Sequence, residues 1–71
     1  MDNFGMKIKE LRESKGLTLP EAAEKLGINR GSLSRYENGI VEPSLSTAAK
    51  IAKFYSVSLD YLAGLSDDFR F

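Results

Sequence analysis

Arg30, Ser32, Ser34 and Arg35 fall within a short stretch that holds no acid before Glu37. Catalysis is a poor use for them. A serine nucleophile needs a neighbouring base, the chain has no histidine, and no lysine sits convincingly beside either serine. Hydrogen bonding is the better use. Arginine presents a planar fork of donors that matches paired acceptors such as guanine O6 and N7. A serine hydroxyl both donates and accepts, and serves either base type or a phosphate. On one helix braced by another, these side chains would make a short, polar, cationic surface of the kind a DNA major groove admits.

Composition narrows the alternatives. With neither cysteine nor histidine, disulfides, thiolate metal sites and the commonest zinc ligand are out of reach. No catalytic residue, metal or cofactor is expected, and no small-molecule ligand is evident. No apolar run approaches a membrane span. Met1-Asp2-Asn3 lacks the basic start and apolar stretch of an export signal, so the expected location is the cytoplasm. Ten basic and ten acidic residues cancel, which is unlike a typical nucleic-acid binder. The distribution is uneven, however. Residues 28–36 carry Arg30 and Arg35 and no acid, while residues 60–71 carry Asp60, Asp67 and Asp68 against Arg70. A chain of 71 residues makes one small domain whose core supplies roughly 3–5 kcal/mol, so oligomerisation is a natural supplement.

The elements that must position these residues are marked by caps and glycines. Asp2 or Asn3 is placed to cap a first helix reaching about Lys15, with Phe4, Ile8 and Leu11 on one stripe. Gly16 ends it. Thr18-Leu19-Pro20-Glu21 spells a capping box for a second helix. Pro20 is tolerated in its first turn, Ala23 and Leu26 face inward with help from Leu19 or Ala22, and Gly27 stops it. Ile28 plugs the core across the turn. Asn29 caps a third helix, Arg30 to Glu37, with Leu33 and Tyr36 inward and Asn38-Gly39 as terminator. Ile40 to Pro43 is a loop. Ser44 caps a fourth helix with the stripe Leu45, Ala48, Ile51, Ala52 and Tyr55. Ser58 caps a fifth, Leu59 to Ala63, stopped by Gly64. No segment alternates as a strand would. The expectation is an all-α bundle of five short helices over residues 1–64, with 65–71 a short C-terminal tail.

The combined order of Glu13-Ser14-Lys15-Gly16, Leu26-Gly27-Ile28, Ser34-Arg35-Tyr36-Glu37-Asn38-Gly39, Glu42-Pro43-Ser44 and Val57-Ser58-Leu59-Asp60-Tyr61-Leu62 resembles the Cro/repressor-type (XRE-like) helix-turn-helix domain of phage and bacterial transcription regulators. The resemblance spans about residues 6–64. It implies a lambda-repressor-like fold and double-stranded DNA as partner. By the same resemblance the third helix is the recognition helix, with Arg30, Ser32, Ser34 and Arg35 at base-contacting positions. Gly31 permits close approach to the backbone. Thr18 and Leu19, at the start of the second helix, would meet phosphate, as would Asn38, although a helix terminator is that residue's commoner role. Leu19 stands where relatives usually carry Gln, and Ile40-Val41-Glu42 replaces a loop that is often basic. Arg12 and Glu37 occupy the positions of a buried ion pair in the family, against the commoner fate of two independent surface charges.

Family members often dimerise through the fifth helix and the segment beside it. Phe54, Tyr61, Leu65, Phe69 and Phe71 are the expected dimer surface, unless the tail folds back to cover Phe54. The implied function is a sequence-specific regulator, a repressor on a pseudo-palindromic operator. The alternative is a helix-turn-helix interaction module that pairs with another regulator and binds DNA weakly alone.

Overall fold

A computed structural model describes residues 3–71. Five helices follow in order: α1 (Phe4–Ser14), α2 (Leu19–Leu26), α3 (Arg30–Glu37), α4 (Leu45–Phe54) and α5 (Leu59–Ala63). One antiparallel bridge, Val57 to Arg70, is the extent of strand pairing among the described residues. None of the described helices is long and apolar enough to cross a membrane.

The caps work as their residue types require. The Thr18 hydroxyl accepts the Glu21 N–H at 3.3 Å, and Glu21 Oε1 accepts the Thr18 N–H at 2.8 Å. Hydrogen bonds from the Thr18 N–H, and secondarily from the Thr18 side chain, hold the Glu21 carboxyl below its usual range. Asn29, Ser44 and Ser58 cap α3, α4 and α5 through their side-chain oxygens. Gly27 takes φ +68°, a left-handed turn that L side chains resist, and so lets α3 leave α2 at an angle. The start of α1 differs from the sequence expectation. Asn3 adopts φ 60° and its side chain makes no cap hydrogen bond; Asp2 lies outside the described residues.

Each helix except α2 contributes one fully enclosed branched side chain: Ile8, Leu33, Ile51 and Leu62. Burying each stabilises by roughly 1.5–3 kcal/mol. Helix α2 presents Ala22, Ala23 and Leu26 instead, and its two alanines keep it close to its neighbours. Helices α1 and α2 both pack on α3, and α5 joins α1 to α4. Leu45 was expected on the inner stripe but is exposed. It is the first residue of α4, and the core begins one turn later at Ala48.

The tail turns back. The Ser58 N–H donates to the Phe69 carbonyl at 2.9 Å, and the Ser58 hydroxyl to the Asp68 carbonyl at 3.1 Å. The Phe69 ring meets Tyr61 edge-on. Lys7 Nζ lies 4.7 Å from the Tyr61 ring centre and donates to the Tyr61 carbonyl at 2.7 Å. Residues 65–71 therefore lie against the α4–α5 corner.

Candidate nucleic-acid interface

Helix α3 is amphipathic in an unusual way, because its inner face carries an acid. Leu33 is fully enclosed and Glu37 is buried, while Arg30 and Arg35 are exposed and Ser32 and Ser34 are half-exposed. A lone buried carboxylate would be costly. Arg12 answers it with a two-pronged contact: Nε to Glu37 Oε2 at 2.8 Å and Nη2 to Oε1 at 3.0 Å. Side-chain exposure is 12% for Arg12 and 4% for Glu37. The remaining prong, Nη1, donates to the Leu17 carbonyl at 2.9 Å. One side chain thus ties α1 to the entrance of α2 and to the end of α3. The Glu37 carboxylate, chiefly through its hydrogen bonds, holds the Arg12 guanidinium further into its charged range. The consequence for the exposed side of α3 is direct. Its only acid is withdrawn and neutralised, so the outward face is cationic.

The polar side chains on the outer side of α3 also engage one another. Arg35 Nη2 donates to Ser32 Oγ at 3.4 Å, and Asn38 Nδ2 donates to Ser34 Oγ at 3.3 Å. At the start of α2, Thr18 is exposed, and its hydroxyl oxygen serves the cap while the side chain also hydrogen-bonds the Glu21 carboxyl. The Leu19 side chain packs against the core, so its contribution there is limited to the backbone N–H. The loop after α3 exposes Ile40, Val41 and Glu42 and buries Pro43.

Of the aromatic and apolar residues assigned to a partner surface, Phe54 and Tyr61 are half-buried against their own core. Leu65, Phe69 and Phe71 are exposed. No group of His, Cys, Asp or Glu among the described residues is arranged to hold a metal.

Two positions have a part that residue type did not reveal. A side chain at Gly5 would run into the Tyr36 and Glu37 carbonyls, so α1 crosses the last turn of α3 backbone to backbone. A glycine within a helix, where alanine would be favoured by about 1 kcal/mol, was the available signal. The Tyr55 hydroxyl is buried and makes no hydrogen bond among the described residues. Burial, and secondarily the Glu37 charge, push its pKa up to about 12. Nothing in its residue type distinguished it from the rest of the stripe.

The helix-turn-helix family pattern matches residues 8–62. The chain is 44% identical over 62 residues to the HTH-type transcriptional regulator ImmR of Bacillus subtilis, covering 87% of this chain and 49% of ImmR. It is 36% identical over 64 residues to the cryptic phage CTXphi transcriptional repressor RstR of Vibrio cholerae, covering 90% of this chain and 58% of RstR. It therefore spans about half the length of these relatives. In three dimensions it is similar to the N-terminal DNA-binding domain of SinR from Bacillus subtilis, with a TM-score of 0.78 and 34% identity over 84% of this chain and 88% of that one. The capped pair α2–α3, the bundle that braces it and these likenesses agree: the chain belongs to the Cro/repressor-type helix-turn-helix family.

Proposed function

We propose that this domain binds double-stranded DNA by laying α3 in the major groove, and that it regulates transcription as a repressor. The observation that carries this is the acid-free outer face of α3, with Arg30 and Arg35 exposed while Glu37 is buried against Arg12. Arg30, Ser32, Ser34 and Arg35 take base edges. Thr18, the Leu19 N–H, the Gly31 backbone and Asn38 take phosphates. RstR is named a repressor, which supports that sign of regulation.

Two copies on a pseudo-palindromic operator would place their recognition helices about 34 Å apart, one turn of DNA. Each extent of the domain, 28 × 23 × 19 Å, is shorter than that spacing, so two copies fit side by side with their recognition helices one turn apart. Exposed Leu65, Phe69 and Phe71 support a surface between the copies.

Selection from a random DNA pool at two salt concentrations is the test. A palindromic consensus with guanines in each half-site is the expected result. A consensus without symmetry would remove the dimer and keep the reading of DNA. No enrichment at either salt would remove both, and would favour a domain that pairs with another regulator.

A further inference from the structure

The first turn of α3 contains a space that only glycine leaves open. Side chains on a helix lean toward its N-terminus, so residue 35 reaches back over residue 31. A Cβ placed at Gly31 would lie 3.4 Å from Arg35 Nη1 and 3.9 Å from Nη2, and 3.1 Å from Asn29 Oδ1. The Arg35 guanidinium therefore rests over the Gly31 backbone, at the side of the Asn29 cap. Ser32 Oγ accepts one of its protons at 3.4 Å, which leaves other N–H groups to point away from the helix.

Resting on the DNA-binding reading above, we propose that Gly31 is a specificity-positioning residue. By having no side chain it sets where the Arg35 fork lies, and so which guanine of the half-site Arg35 reads. The fork is a planar donor pair that rewards one placement of O6 and N7. Atoms beyond Cβ at position 31 would occupy the volume the guanidinium now fills. A methyl group alone would touch the guanidinium without displacing it, and would press the Asn29 cap oxygen aside by a few tenths of an ångström. The effect is therefore graded by size and confined to one guanine, whereas loss of the Gly31 backbone contact with phosphate would weaken all sequences alike.

The test compares Gly31→Ala and Gly31→Leu, each alone and combined with Arg35→Ala, on the duplex that the unaltered protein enriches from a random pool. Leucine and alanine are both good helix formers, and thermal unfolding checks that α3 survives. In the free protein, NMR should show a nuclear Overhauser contact between the Gly31 α-protons and the Arg35 side chain. Arg35→Ala should lower the preference for one guanine by about tenfold, within the range for a lost two-pronged contact. Gly31→Leu should lower the preference for that same guanine comparably. Gly31→Ala should keep most of it, and Gly31→Leu should add nothing once Arg35 is gone. Three results would overturn the proposal while sparing the DNA-binding reading: no Gly31–Arg35 contact, an unchanged guanine preference in Gly31→Leu, or an affinity loss that is uniform across sequences and equal in both backgrounds. Failure of the unaltered protein to enrich any sequence would overturn both.

Discussion

Arg12 does more than any other single side chain to shape the interface, although it faces away from it. Its three prongs join Glu37 and the Leu17 carbonyl. Truncating one partner of a buried pair strands the other charge, so Arg12→Ala should cost about 3–5 kcal/mol in urea unfolding. Replacing Arg12 and Glu37 together with apolar residues of similar volume should cost far less, because no charge is then left without a partner. Tyr55 makes a second prediction possible. Its folded pKa, about 12, lies above the value of about 10 for an unfolded chain. Between these values the unfolded chain gives up the proton first. Stability from Tyr55 is therefore complete below pH ~10 and falls as pH rises toward ~12. In Tyr55→Phe, urea melts across that window should lose less stability than the parent. At pH 7 the variant should be as stable or more so, since a buried hydroxyl without a partner is removed.

At the scale of elements, the orientation of α3 depends on how closely α1 approaches it. Gly5 sits under the Tyr36 and Glu37 carbonyls, and no side chain can occupy that crossing unless the helices part. Gly5→Ala should destabilise by about 1–3 kcal/mol, the usual cost of overpacking, despite the gain in helix propensity. DNA affinity should fall as well, because α3 would be re-aimed. Unchanged melting together with unchanged binding would show that the crossing tolerates a methyl group. The capping box, the Asn29 cap and Gly27 were legible in the sequence because each is a local device. The Gly5 crossing was not, because its partner lies more than thirty residues away along the chain.

For the whole molecule, zero net charge limits how far electrostatics can drive binding. The cations on the outer face of α3 are Arg30 and Arg35, and the following loop supplies Glu42 instead of a lysine or arginine. Each phosphate neutralised contributes about −0.9 to the slope of log affinity against log salt, so each domain would reach roughly −2 only if both arginines met phosphates, and should be shallower with them on base edges. Titration from low to moderate salt on the enriched duplex measures it. A much steeper slope would mean that Lys9 or Lys15, both exposed, also reach phosphate. The folded-back tail reduces the expected partner surface. Tyr61 is engaged by Lys7 and Phe69, which leaves Leu65, Phe69 and Phe71 as its exposed part.

The sequence by itself determined the number of helices, the capping residues of α2 to α5 and the cationic stretch from Arg30 to Arg35. These depend on short-range rules: capping geometry, left-handed turns and apolar spacing act within a few residues. Family resemblance added the pairing of Arg12 with Glu37. Only the tertiary structure decided that Gly5 is a crossing point, that Leu45 stays outside the core, and that the tail pairs with the α4–α5 corner. Only it showed the Arg35 guanidinium resting over Gly31. Each of these depends on which surfaces meet once the helices pack. The physical reason is that a stripe of apolar residues specifies a face to be buried but leaves open where along the helix the neighbouring elements will cover it.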